Sequence, residues 1–220
     1  MATTLHEPLE VITPGYLKNG SGRNLGPVDG DLRAVREHPF EPAKTGIWVA
    51  FAAITMSFAA LTSALVVRQG TALDWHHIPL PPILYFNTLV LLASSGTLEF
   101  ARRRMAAYAR GFETQISEPM RWLVITLSFG LLFVAGQYVA WLQLKSEGLY
   151  LATNPSSSFF YVFTGVHAVH VLGGLCGLIY IMSKLQRSVL RRSTFIAASQ
   201  YWHFMGILWV YLLFVLWMKL

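Results

Sequence analysis

From residue 46 onward the chain is organised as long apolar runs separated by short polar segments. Five runs stand out: residues 46–67, 82–101, 120–144, 158–183 and 195–218. Each holds about 20–26 residues, or about 30–39 Å as helix at 1.5 Å per residue, enough to cross the hydrocarbon core of a bilayer. Helix-start punctuation supports three of them, with Pro42 ahead of the first, Pro81 and Pro82 at the second, and Pro119 at the third. A helix in lipid satisfies its own backbone hydrogen bonds, so the pattern predicts an all-α, polytopic membrane protein built as a bundle of five transmembrane helices.

Residues 1–45 form a different regime. Pro, Gly and mixed charge dominate, from Pro8 through Gly15, Gly20, Gly22, Gly26 and Pro27 to Pro42. No apolar stretch follows Met1, so no cleaved secretory signal is expected. The segment reads as a soluble, flexible N-terminal tail that orders only against a partner. The transmembrane domain is then 46–220.

Composition agrees with the pattern and removes other classes. Hydrophobic residues make up 54% of the 220 and charged residues only 13%, yet the net charge is +6. That excludes a disordered chain, a soluble enzyme with a solvated surface, and most nucleic-acid binders, and no nucleic-acid partner is expected. The single cysteine, Cys176, excludes an intrachain disulfide framework, a Cys-based zinc site and an iron–sulfur cluster.

The basic excess resolves once it is sorted by position. Arg102, Arg103, Arg104 and Arg110 follow the second run; Lys184, Arg187, Arg191 and Arg192 follow the fourth. The loops after runs one and three hold little beyond Arg68 and Lys145. Positive residues stay cytoplasmic, so the N-terminus is expected inside and the C-terminus outside a plasma membrane.

Chemistry at depth requires polar or ionisable groups inside the runs. Glu99 is the one carboxylate within them, three and four residues before Arg102 and Arg103. That spacing predicts an interfacial ion pair on one helix face rather than a proton relay. His167 and His170 stand three apart in run four, and His203 lies in run five. One reading is metal or haem ligation between the two helices, since imidazole suits iron. The histidines differ in depth, about 20 Å for His170 and 12 Å for His203 from the cytoplasmic end, which weakens a shared haem. The other reading is neutral histidines bonded to neighbouring helices, headgroups or a partner subunit. A di-metal carboxylate site lacks its Glu-x-x-His pattern. Gly173 and Gly177 form a Gly-x-x-x-Gly pair, with Gly165 eight residues earlier, and predict close helix approach. Asn87, Thr88, Ser94, Ser95, Thr97 and, in run three, Gln137 offer groups able to bond across helices. A transporter would show repeated halves with paired helix interruptions, and neither is present.

Three segments, in order and in different runs, carry a resemblance. They are Asn87-Thr-Leu-Val-Leu-Leu-Ala-Ser-Ser95, the stretch Thr164-Gly-Val-His-Ala-Val-His-Val171 with Gly173 and Gly174 behind it, and Tyr201-Trp-His-Phe204 followed by Trp209. Together they resemble subunit III of haem–copper terminal oxidases, the cytochrome c oxidase subunit 3 family, in its shorter five-helix bacterial form. The resemblance implies a chain without catalytic, cofactor-binding or metal-ligating residues, with haem and copper held in partner subunits. It implies packing on subunit I, bound phospholipid, and support for proton uptake, oxygen access and resistance to turnover inactivation. His167, His170, Trp202 and His203 would be structural or lipid-contacting groups. Other readings are subunit III of a quinol oxidase or nitric oxide reductase, a b-type membrane cytochrome, or a small transporter. Two departures stand out. Many members place a glutamate where this chain has Met56, and an aspartate where it reads Met205-Gly206.

Overall fold

A computed structural model describes residues 16–18, 24–27, 42–71, 75, 80–109, 117–151, 154–187 and 192–219. The chain divides into two units, residues 1–45 and 46–220. In the first, strands β1 (Tyr16–Lys18) and β2 (Asn24–Pro27) pair antiparallel, with Tyr16 opposite Pro27 and Lys18 opposite Asn24. The sequence reading did not anticipate this small hairpin; the rest of the tail lies outside the described residues.

Five helices follow: α1 (Pro42–Thr71), α2 (Ile83–Ala109), α3 (Ser117–Ser146), α4 (Pro155–Gln186) and α5 (Arg192–Lys219). All five are long and apolar enough to cross a membrane. Each apolar run therefore became one helix. Most ends reach up to about one turn beyond the run, because hydrogen bonding continues into the headgroup zone. The exception is α2, which extends about two turns past residue 101 and carries Arg102, Arg103 and Arg104 out of the apolar region.

Local chemistry sets two of the ends. α4 starts with Pro155 in its first turn, where the missing N–H costs nothing, and the Asn154 N–H donates to Ser157 Oγ at 3.3 Å. α3 closes on Gly148, whose φ of 78° lies in the left-handed region. The Leu149 N–H then reaches back to the Leu144 carbonyl at 3.0 Å and satisfies an end carbonyl of the helix.

Helix order follows from cross-helix pairs. Thr97 bonds Thr126 while Asn87 lies against Gly136, so α2 and α3 run antiparallel. Trp141 bonds Thr164 while Gly130 faces Leu175, so α3 and α4 do too. Trp202 bonds Ser94 and Trp209 bonds Thr88, which sets α5 antiparallel to α2. With α4 against α5, helices α2 to α5 close into a four-membered ring. α1 stands apart from the ring, touching it only through side chains. Phe51 stacks on Phe204 at 4.4 Å, Tyr211 Oη donates to Thr62 Oγ1 at 3.0 Å, and Gln69 Nε2 donates to the Lys219 carbonyl at 3.1 Å.

The interior gathers polar groups alongside its apolar core, and large apolar side chains also face outward. Asn87, Ser94, Thr126, Gln137, Thr164, His167 and Ser199 are buried, while Val49, Leu89, Leu131, Ile179 and Ile207 face outward. Lipid tails are as apolar as leucine, so burying leucine gains little, whereas polar groups are drawn away from lipid into the bundle.

Candidate functional site

Near the end of the apolar part of α2, Glu99 holds both arginines that the spacing paired with it. Arg102 donates from Nε and Nη2 to the two carboxylate oxygens at 2.6 and 2.7 Å, and Arg103 Nε donates to Oε1 at 3.1 Å. The arrangement is an exposed clamp at the end of a membrane helix, and the arginines use Glu99 as an anchor. Arg110 and Arg191 lie outside the described residues.

The histidines go to different places. His167 is fully buried in the ring, with its imidazole 5.1 Å from the Trp209 ring and edge-on to Phe133 at 5.9 Å. His170 is half-buried toward α1, 5.9 Å from Phe58, with Nδ1 2.8 Å from the Val166 carbonyl of its own helix. Its own carbonyl accepts from Tyr201 Oη at 3.0 Å, which ties α4 to α5. His203 is half-buried on α5, while its neighbour Trp202 is among the most buried side chains. The Tyr-Trp-His-Phe segment thus sends Trp202 inward and leaves Tyr201 and Phe204 to meet Phe51 of α1. Among the described residues no group of three or more His, Cys, Asp or Glu side chains is placed to share a metal ion.

The polar groups of α2 are used across helices. Thr97 and Thr126 share a hydrogen bond of 2.8 Å, Trp202 Nε1 donates to Ser94 Oγ at 3.0 Å, and Trp209 Nε1 donates to Thr88 Oγ1 at 3.0 Å. Trp141 Nε1 adds Thr164 Oγ1 at 3.0 Å. The donors and acceptors on α2 stood out in the sequence as cross-helix bonders, whereas Trp202 and Trp209 entered only with the resemblance and without assigned partners. A Trp in an apolar run reads equally well as lipid-facing bulk, and only its N–H, which must find an acceptor when buried, separates the two.

The glycine expectation needs correcting within this chain. A side chain at Gly165 or Gly177 would meet nothing within 4 Å, and one at Gly173 only Tyr201 Oη at 3.7 Å. The close approaches are at Gly130, Gly136 and Gly174. A Cβ at Gly130 would come within 2.7 Å of both Leu175 and Trp202, and one at Gly136 would collide with the Asn87 amide. Spacing alone picks out a helix face; it does not say whether a neighbour lies on it. Gly165 instead opens onto an apolar groove of about 400 Å³ between α3 and α4, lined by Trp141, Leu151, Tyr161, Val162 and Val166. Met56 points away from the ring and is 73% exposed.

These features define a multi-pass helical membrane protein with its polar groups gathered inside and an arginine clamp at one edge. Residues 45–219, nearly the whole helical part, match the family described as cytochrome c oxidase subunit III, and the chain belongs to that family. A probable cytochrome c oxidase subunit 3 of Mycobacterium tuberculosis (strain ATCC 25618 / H37Rv) is 37% identical over 132 residues, covering 59% of this chain and 62% of that protein. A cytochrome c oxidase subunit 3 of Corynebacterium diphtheriae is 30% identical over 138 residues, covering 61% and 64%. A probable quinol oxidase subunit 3 of Staphylococcus aureus (strain USA300) is 29% identical over 185 residues, covering 80% and 89%. The matched segment therefore spans about three fifths of the length of the mycobacterial and corynebacterial relatives.

Proposed function

We propose that this chain is a non-catalytic, cofactor-free membrane subunit of a respiratory haem–copper oxidase, with cytochrome c oxidase the leading assignment. The observation that carries the reading is the family match over 45–219, which coincides with the five membrane helices. In this reading haem and copper belong to partner subunits, and the chain packs on subunit I in a bacterial plasma membrane. The ends of α2 and α4 that carry Arg102 to Arg104 and Lys184 face the cytoplasm, so the N-terminus is inside and the C-terminus outside. The Glu99 clamp then lies at the cytoplasmic headgroup level, where the complex takes up protons. The apolar groove beside Gly165 suits a phospholipid acyl chain. A quinol oxidase is the second reading, because the relative named as a quinol oxidase subunit is covered over the greater share of both chains.

The test is gentle purification of the tagged chain from its native membrane. Co-purification of haem–copper subunits is expected, with a colourless chain once they are stripped away. Haem that stays with the isolated chain and disappears in His170→Ala or His203→Ala would overturn the reading. Oxidation of reduced cytochrome c or of a quinol by the intact complex separates the two assignments. Orientation is read in a Cys176→Ser background with a membrane-impermeant maleimide on intact cells. Glu147→Cys should label and Lys184→Cys should not.

A further inference from the structure

Three side chains inside the ring retain hydrogen-bonding capacity that no neighbour uses. Asn87 on α2, Gln137 on α3 and His167 on α4 are 1%, 2% and 0% exposed. The amide nitrogen of Asn87, both amide atoms of Gln137 and both ring nitrogens of His167 have no partner. Buried polar atoms are almost always paired, because an unpaired one bears its full desolvation cost. Five on three neighbouring helices need an explanation.

The helix register brings them to one depth. Asn87 lies against Gly136, so it stands at the level of Gln137. Trp141 is bonded to Thr164 across α3 and α4, and these helices are antiparallel. Stepping about one turn back along α3 gives Gln137, and about one turn forward along α4 gives His167, so the two face the same layer. α5 closes the layer with Trp209, whose ring lies beside His167 and whose N–H reaches Thr88, the neighbour of Asn87.

We propose that this layer is an internal hydration site, in which one or two buried water molecules are held by Asn87, Gln137 and His167. A neutral imidazole offers one N–H and one bare nitrogen, the Gln137 amide an oxygen and two N–H groups, and Asn87 Nδ2 two more. Water has two donors and two lone pairs. It donates to Gln137 Oε1 and the bare nitrogen of His167, and it accepts from the amide N–H groups. Buried waters typically make about three such bonds. A cation is a poor occupant, since among the described residues the layer contains no carboxylate or thiolate, while the rings of Phe133 and Trp209 pack beside His167. The water layer would pin the rotation of three helices whose outer faces are largely apolar in the membrane-spanning part.

The test is a structure of the full chain, in its complex or a lipid nanodisc, at a resolution that shows ordered water elsewhere in the protein. The expected result is density at about 2.7–3.2 Å from both His167 and Gln137. Two findings overturn the proposal: Gln137 bonded directly to His167 or Asn87, or an empty layer while other buried waters are visible. Independently, Gln137→Leu and His167→Phe should each lower the folded-to-unfolded ratio in SDS titration by roughly 5- to 100-fold, because each strands the remaining groups. The double variant should lose much less than the product of the two. Fully multiplicative losses would mean that the residues share nothing, and the proposal would fail. If either variant does not fold, the density of the unaltered protein decides alone.

Discussion

Gly130→Ala adds a single methyl group where the ring is tightest. The new Cβ would lie 2.7 Å from Leu175 Cδ2, 2.7 Å from Trp202 Cη2 and 3.0 Å from Trp202 Cζ2. Carbon atoms prefer about 3.5–4.0 Å, so the neighbours must retreat by about 1 Å. Leu175 can turn a terminal methyl. Trp202 has less freedom: it is 1% exposed, its ring already lies over Gly174, and its N–H is committed to Ser94 at 3.0 Å. Overpacking of this kind costs about 1–3 kcal/mol, and a weakened buried hydrogen bond about 0.5–1.5 more. Alanine's better helix propensity offsets about 1 kcal/mol. The net expectation is a loss of about 2 kcal/mol, or about 4–8 °C in midpoint for a chain of this size. Thermal unfolding of the detergent-solubilised protein, followed by tryptophan fluorescence, measures it. Gly96→Ala is the control, because a Cβ there meets nothing within 4 Å. If Gly130→Ala proves as stable as Gly96→Ala, the inferred packing of α3 against α5 is wrong.

Trp209→Phe removes the bond to Thr88 and part of the ring packed against Phe133 and His167, and should cost about 2–4 kcal/mol. Trp217→Phe, at an exposed ring, should leave the same unfolding midpoint unchanged. Glu99→Gln breaks two exposed ion pairs and should cost no more than about 1 kcal/mol, with assembly and oxygen consumption by the complex largely kept; complete loss of oxygen consumption would contradict an anchoring role. α1 should separate from the ring before the ring itself opens. Spin labels at Val66 and Phe214, in a Cys176→Ser background, should move apart at SDS concentrations where labels at Leu131 and Ile179 still report a fixed distance, and simultaneous separation would refute this.

The five spans were legible because lipid demands one thing of a helix, an unbroken apolar run, and the runs at 46–67, 82–101, 120–144, 158–183 and 195–218 supply it. The Glu99 clamp was legible because spacings of three and four residues on a helix fix a shared face whatever surrounds it. Which face of each helix turns inward was not legible from the apolar residues. In a soluble bundle a leucine stripe marks the core, but here Leu89 and Leu131 face out while Leu91 and Leu123 face in. The usable signal was the minority of polar residues: Asn87, Ser94, Thr126, Gln137, Thr164 and His167 all point to the interior. Glycine misled for a related reason. Gly130 and Gly136 sit in no Gly-x-x-x-Gly pair with each other, yet a partner's Trp or Asn fills the space above them. Gly173 and Gly177 fit the spacing and have almost nothing there.

The same division bears on Met56. Helices α2 to α5 hold each other with the features that work in lipid: tryptophan N–H groups on hydroxyls, a threonine pair, and glycines under large side chains. α1 contributes an aromatic stack and two hydrogen bonds at its edge. Met56, 73% exposed, is on the side of α1 turned away from all of these contacts. A substitution at Met56 therefore leaves the interior of the bundle untouched. It alters only the surface that α1 offers to whatever lies beyond it.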